Sequence, residues 1–264
     1  MVPTPDAFDP SLVHEEVTTA LLADVSERVR ALHAGLIAEL HLGRASPAKI
    51  PEKVLVLTHA LAHRMAELSR AYVREVNARS LTPSFLLARA MLEGGCLAYD
   101  LTLRIAEALK ADSTSTLPDL DEHLTRVMHG AKSKKWRPNE DDPEAVNILT
   151  VLDRVARELG PAFRQNFEDM CEFAHPNAAG VLSSYGDLDT VRHIQTFDAE
   201  PARSMDGDRV VSWHLRTTVV ALAVFSTAQT LRDHQMPRFI SLCERELFEQ
   251  GTWPRDVSYP RKPA

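Results

Sequence analysis

The chain has 264 residues, of which 44% are hydrophobic and 25% charged, and its formal net charge is −7. This composition is typical of a globular protein with a sizeable core, and it excludes collagen, disulfide-dense scaffolds and wholesale disorder. The acidic total disfavours a general nucleic-acid coat but is compatible with a local basic site. Only ten glycines occur, which predicts few turns and long helices.

Three features predict a cytoplasmic protein without membrane contact. The cysteines stand far apart among apolar residues, which indicates buried thiols in a reducing compartment; they are Cys96, Cys171 and Cys243. Residues 1–10 lack the basic and then apolar pattern of a secretory signal. The longest apolar run, 219–225, is far shorter than the ~20 residues that span a membrane.

Helical periodicity dominates the first half of the chain. Apolar residues recur at intervals of three and four, and proline, glycine or short polar segments separate the runs. This pattern predicts helices over 12–42, 51–77, 84–110 and 117–129.

The second half opens with a loop over 132–142, where basic residues precede acidic ones, and then returns to helices. Their predicted spans are 143–159, 162–174, 215–231 and 237–250. Between them, 190–197 alternates weakly and 209–213 is β-branched. With Gly207 between these two runs, we expect a small two-stranded excursion.

Taken together, the elements predict an all-α fold. The best single architecture is an antiparallel helical bundle of four to five long helices with a small polar or β excursion near 186–213. Neither an internal repeat nor a composition break marks a boundary, so we expect one domain over 1–264, with an N-terminal arm at 1–10 and a C-terminal tail at 251–264.

Two charged residues interrupt the apolar third helix. Arg89 and Glu93 are four residues apart and therefore share one helix face. Because buried charges are costly unless paired, we expect a buried ion pair or the wall of a polar pocket. Gly94 and Gly95 follow, and they indicate either a tightly packed neighbouring helix or room for a ligand.

A second feature is the end of the helix predicted over 162–174. His175 stands where the helix stops, Pro176 forces an extended backbone before it, and Asn177 suits the turn. A structural histidine bonded to a carboxylate and a catalytic histidine both explain this pattern. We expect His175 to lie close enough to Arg89 and Glu93 to join their network.

Arg89, Glu93, His175, Pro176 and Asn177 together resemble a family of bacterial helical proteins related to the HEPN-like (higher eukaryote and prokaryote nucleotide-binding) bundles. The resemblance covers roughly residues 47–231. It implies an all-α bundle, often a homodimer, and for some relatives a role in defence or toxin systems that includes metal-independent RNA cleavage.

One departure bears on RNA cleavage. Ribonucleases of that superfamily carry Arg and His four to six residues apart on one helix, where Arg steadies the scissile phosphate and His moves protons. Here Arg164 precedes His175 by eleven residues. The formal matches, Arg28 with His33 and Arg209 with His214, are no more than chance gives in a chain this rich in Arg and His.

Two further groups of residues are candidate ligand-binding sites. His59, His63 and Glu67 share a helical stripe, so two imidazoles could hold one metal ion. No third ligand from another helix is identified, and a solvated stripe explains these residues equally well.

The 132–137 segment places Trp136 among basic residues, which suits phosphate contact and base stacking, although charged loops are commonly just solvated.

The sequence thus predicts a non-catalytic binding module for a nucleic acid, a nucleotide or a protein partner, with no cofactor, because phosphate-loop and dinucleotide motifs are lacking. The binding residues are predicted to be Arg89, Glu93, His175 and Asn177. One alternative is a metal-independent endoribonuclease using Arg89, Glu93 and His175, and another is a metal-binding bundle using His59, His63 and Glu67.

Overall fold

The computed structural model describes residues 7–9, 16–42, 46–137, 139–176, 186–197 and 207–252. These residues form seven α-helices, two single 3₁₀ turns at Thr114–Thr116 and Lys134–Trp136, and one β-hairpin, so the predicted all-α class is confirmed. The helices are α1 (Glu16–Ala34), α2 (Lys49–Asn77), α3 (Leu81–Ala111), α4 (Leu117–His129), α5 (Ile148–Leu159), α6 (Pro161–Ala174) and α7 (Gly207–Glu249).

The helices form where apolar spacing and end signals agree. In α2 the buried positions recur every three to four residues, as at Val54, Leu61, Met65 and Tyr72, which places one stripe against the core. Proline stands in the first turn of both α4 and α6, where its missing N–H costs nothing. The predicted bounds of α4 are confirmed to the residue.

Two predicted helix ends are wrong, and local capping explains both. Helix α1 ends at Ala34 rather than near residue 42, because the Gly35 amide closes the last turn onto the carbonyls of Ala31 and Leu32. Helix α5 begins at Ile148 rather than at residue 143. The Asn147 side chain accepts a hydrogen bond from the Leu149 amide at 3.0 Å and so caps the helix there.

Helix α7 is one 43-residue helix where two shorter helices and a strand over 209–213 were predicted, and that prediction is wrong. The β-branched run over 209–213 is helical, so helical context overrides its strand propensity. Pro237 lies inside the helix, where it removes one backbone hydrogen bond. Burial of Met236, Phe239 and Leu242 on either side offsets that loss.

The hairpin consists of β1 (Gly186–Asp189) and β2 (Ile194–Phe197), which pair antiparallel with Gly186 opposite Phe197 and Asp189 opposite Ile194. The turn is held by the Asp189 carboxylate, which accepts hydrogen bonds at 2.9 Å from the amides of Val191 and Arg192. Within the described residues, strands occur only between 186 and 213, as predicted. The partner of 194–197 is 186–189 and not 209–213.

The contacts within the chain divide it into two compact units. The first comprises Met1–Leu36, Ala62–Cys96 and Val155–Ser226, and its core contains Tyr72, Phe85, Met91, Phe167 and Phe225. The second comprises Ile37–Leu61, Leu97–Arg154 and Thr227–Ala264, and its core contains Ile105, Leu117, Leu124, Leu152 and Phe239. The single-domain organisation stays a prediction.

All three cysteines lie in the described residues, and none of them forms a disulfide. Cys96 and Cys243 are buried as predicted, whereas Cys171 is only half-buried. Burial raises the pKa of both Cys171 and Cys243, which keeps these thiols protonated. No described helix has the length and apolar character needed to cross a membrane.

Candidate functional site

Arg89 and Glu93 are paired, as the sequence predicts, but they are not buried. Arg89 Nε lies 3.1 Å from Glu93 Oε1, and the two side chains are 27% and 28% exposed. The Arg89 guanidinium carbon lies 5.5 Å from the centre of the buried Phe167 ring on α6. That ring lies against the guanidinium, but both side chains keep about a quarter of their surface in solvent, so the pair is half-buried and the expected full burial is wrong.

The two glycines after this pair serve close packing. A Cβ on Gly94 would lie 2.8 Å from Met65 Sδ on α2, and a Cβ on Gly95 would lie 3.0 Å from the Ala221 carbonyl oxygen on α7. Neighbouring helices therefore occupy the space that a ligand would need, which favours the tight-packing interpretation of the sequence.

His175 does not join the pair. Its amide donates to the Cys171 carbonyl at 3.0 Å and caps α6, its backbone is extended as Pro176 requires, and the residue is exposed. In the described structure no hydrogen bond or ion pair links His175 to Arg89 or Glu93. The expected three-residue network is therefore wrong for His175, and the predicted binding residue Asn177 lies outside the described residues.

The histidine stripe of α2 gives no metal centre in the described part of the chain. His63 and Glu67 are exposed and His59 is half-buried. Among the described residues, no group of three or more His, Cys, Asp or Glu side chains is placed to hold a metal ion.

The two histidines of the formal Arg–His matches have structural environments. His214 is buried in the aromatic core of the first unit, with its Nδ1 2.6 Å from the Tyr72 hydroxyl oxygen. Burial lowers the pKa of His214 to about 4, so the ring is neutral near pH 7. His33 Nε2 lies 3.1 Å from the Ala66 carbonyl oxygen, and Arg28 pairs with Asp24.

Sequence reasoning missed a buried ionic cluster in the second unit. The Asp100 side chain is fully buried, and its Oδ2 lies 2.8 Å from Arg104 Nε and 3.2 Å from His123 Nε2. Arg154 lies 3.2 Å from Oδ1 and also contacts Glu107. Burial by itself would raise the pKa of Asp100, but the hydrogen bonds from His123 and Arg104 outweigh it and the pKa is lowered. The Asp100–Arg104 spacing, four residues within an apolar helix, is the signal that could have revealed it.

The segment 131–145, which we call the closed loop and of which residue 138 lies outside the described residues, connects α4 to α5 and is tied at its base. The Ala131 amide donates to the Pro143 carbonyl at 3.2 Å, and the Ala145 amide donates to the Ala131 carbonyl at 3.4 Å. Gly130 permits this closure, because a Cβ there would overlap the Arg126 carbonyl oxygen and lie 2.7 Å from Ala145 Cα.

Trp136 stands in the 3₁₀ turn of the closed loop with 74% of its surface exposed. The turn is held by Ser133, whose hydroxyl accepts from the Lys135 amide at 3.3 Å and whose carbonyl accepts from the Trp136 amide at 3.0 Å. Lys132, Lys134 and Lys135, which precede Trp136 in the closed loop, are exposed as well. No described carboxylate lies within ion-pair distance of these three ammonium groups, so they are available to an anion.

An acidic groove of about 560 Å³ lies between α4 and the returning limb of the closed loop. Four of its eight lining residues are acidic, and the groove is lined by Pro118, Asp121, Glu122, Thr125, Arg126, Asp141, Pro143 and Glu144. Lys53 neutralises Asp121 across 2.6 Å, and Arg126 Nε donates to the Glu144 carbonyl at 3.1 Å. The carboxylates of Glu122, Asp141 and Glu144 therefore leave this wall negative.

Comparison of the chain with protein-family models, curated proteins and solved structures finds no match.

Proposed function

We propose that this protein is a non-catalytic nucleic-acid-binding module whose contact surface is the basic, aromatic part of the closed loop. The observation that supports this proposal is the exposure of Trp136. Its surface is 74% exposed, and the same loop carries three exposed lysines without a described carboxylate partner. Ammonium groups attract phosphates, and an exposed indole stacks on a base. In a chain with net charge −7, a basic patch of this kind favours a local contact over a general coat.

The non-catalytic part of the proposal rests on the histidines. An acid–base residue must lie within hydrogen-bond reach of a reacting group and titrate near the working pH. His214 is buried and neutral, and His175 has no described contact with Arg89 or Glu93. The HEPN-like relationship and a role in bacterial defence are part of the same proposal, and they rest on the sequence resemblance.

The proposal is tested by fluorescence polarisation with a labelled 12-nucleotide RNA across a series of salt concentrations. Replacing Lys132, Lys134 and Lys135 together by Gln should weaken binding at least tenfold. Each neutralised phosphate contributes about 0.7 to the slope of log affinity against log salt for a single strand, so the slope should fall by about 2. A control replaces the exposed Lys49 and Lys110 by Gln, which removes two positive charges outside the closed loop, and an equal loss per removed charge in that control would contradict the proposal.

The endoribonuclease alternative is tested in the same preparation. Total RNA incubated with the protein in EDTA should stay intact over hours if the module only binds. Cleavage that disappears in Arg89→Met and in His175→Ala would instead support metal-independent catalysis by those residues.

A second copy of the chain is the candidate protein partner, favoured by the outer edge of the hairpin. Strand β2 carries no charged residue, and Ile194 and Phe197 are 49% and 75% exposed. An antiparallel pairing of two β2 strands about a twofold axis would place Ile194 of each copy opposite Phe197 of the other. Light scattering over a concentration series checks this, since Phe197→Lys should lower the mass of any dimer to that of one chain.

A further inference from the structure

The exposed indole and the acidic groove lie on the two limbs of one short loop. Trp136 is five residues before Asp141, so their Cα atoms are at most roughly 18 Å apart. The loop is tied at its base by the hydrogen bonds of Ala131 with Pro143 and Ala145, which keeps the two limbs together. A nucleic acid bound at Trp136 that extends roughly 18 Å along the loop therefore approaches Asp141 and Glu144.

We infer that the closed loop selects unpaired nucleic acid and rejects the duplex, with one base stacked on Trp136 and its flanking phosphates on the exposed lysines of the same loop. This inference rests on the proposed function and names its ligand class. The exposed Trp136 indole can stack only on an uncovered base face, and within a duplex the neighbouring base pairs cover both faces of each base.

The acidic groove adds a penalty that falls mainly on the duplex. Double-stranded DNA carries about one charge per 1.7 Å of its axis, so a duplex across roughly 18 Å presents on the order of ten charges. It is stiff over about 150 base pairs and cannot curve away from Asp141 and Glu144. A single strand has a lower charge density and bends freely, so it can follow the lysines and leave the groove.

Labelled probes of three kinds and equal length separate stacking, charge and strandedness. They are a 12-nucleotide single strand, offered as RNA and as DNA, an abasic 12-unit sugar–phosphate strand, and a 12-base-pair duplex. The wild-type protein should bind the single strands at least tenfold more tightly than the abasic strand or the duplex. Trp136→Ala should cost roughly 5- to 150-fold on the single strands and leave the abasic strand unchanged.

Two further variants test whether Trp136 causes the preference for bases and whether Asp141 and Glu144 cause the weaker binding of the duplex. Trp136→Phe keeps an aromatic face and should retain at least part of the preference for bases. The double change Asp141→Asn with Glu144→Gln should raise duplex affinity several-fold and single-strand affinity less, because both side chains are exposed and line the groove. Far-UV circular dichroism confirms that each variant keeps the helical fold.

The outcomes distinguish the inference from the proposed function. Equal binding of all three probes, unaffected by Trp136→Ala, would overturn selection of unpaired bases while leaving nucleic-acid binding in place. Tighter binding of the duplex would overturn the inference as well. If none of the probes binds, both the inference and the proposed function are wrong. A difference between the RNA and DNA arms identifies which unpaired strand the loop prefers.

Discussion

The Tyr72 hydroxyl and the His214 imidazole form a hydrogen bond in the core of the first unit, with 2.6 Å between Tyr72 Oη and His214 Nδ1. The rings of Phe8 and Phe85 pack around them, and both polar side chains are buried. Burial raises the pKa of Tyr72 and lowers that of His214, so both groups are neutral near pH 7. The pair is thus a neutral polar link between α2 and α7 in that core.

Removing one partner of this link should destabilise the protein more than removing both. Tyr72→Phe leaves His214 Nδ1 buried without its partner, and we expect the free energy of unfolding to fall by about 1–3 kcal/mol. The double change Tyr72→Phe with His214→Phe should recover part of the loss. Urea unfolding of the four proteins in a double-mutant cycle measures this, and strictly additive losses would show that the bond is not coupled.

The buried histidine also predicts a loss of stability in mild acid. Its pKa is about 4 in the folded protein and 6.5 in the unfolded chain, so the unfolded state binds more protons between those values. Stability due to neutral His214 is therefore complete above pH 6.5 and falls by about 3 kcal/mol as the pH drops to about 4. Urea unfolding from pH 7 to pH 4 should show a shallower fall in His214→Phe. Burial also lowers the pKa of the half-buried His33, and because His33 is present in both the wild type and His214→Phe, its effect on stability is common to the two curves.

The Asp100 cluster should be the most sensitive ionic site of the second unit. Asp100→Asn leaves the guanidinium groups of Arg104 and Arg154 and the ring of His123 without their buried carboxylate, and we expect a loss of about 3–5 kcal/mol. Glu107→Gln is the matched control, because that carboxylate touches the same Arg154 but is 67% exposed, and it should cost below about 1 kcal/mol. Thermal unfolding followed by circular dichroism compares them. Similar melting temperatures for both variants would contradict the burial of Asp100.

Gly130 should control the closed loop without touching a ligand. Gly130→Ala places a methyl group against the backbone of Arg126 and Ala145, so the base of the loop must open. We expect faster trypsin cleavage after the basic residues of 132–137 and weaker binding of single-stranded RNA. Gly35→Ala is the control, since its Cβ would meet nothing closer than 3.5 Å. Unchanged cleavage in Gly130→Ala would show that closure does not need the glycine.

The half-buried Arg89–Glu93 pair should contribute little to stability. Arg89→Met should lower the free energy of unfolding by less than about 1 kcal/mol, because a pair that is more than a quarter exposed is screened by water and salt. If these residues bind a ligand, single-stranded RNA affinity will fall in Arg89→Met and Glu93→Gln while the melting temperature holds. A loss of 3 kcal/mol or more would restore the buried-pair hypothesis.

The closed loop illustrates which features the local sequence predicts and which it does not. The sequence placed Trp136 and its neighbouring lysines in an exposed loop that suits phosphate and base contact or is simply solvated, since charged residues around an aromatic one in a helix break favour exposure. The closure itself was not predicted, because the hydrogen bonds of Ala131 with Pro143 and Ala145 join residues more than ten positions apart.

What the sequence by itself determined is the helical periodicity: α2, α3, α4 and α6 lie where apolar residues recur and proline or glycine bounds them. What only the tertiary structure decided is the environment of each helix face. Arg89 with Glu93 and Asp100 with Arg104 share one spacing on one helix, yet the first pair is half-exposed and Asp100 is fully buried. Spacing fixes which side chains share a face, whereas burial depends on which distant residues pack over it, here Phe167 over Arg89 and the side chains of His123 and Arg154 around Asp100.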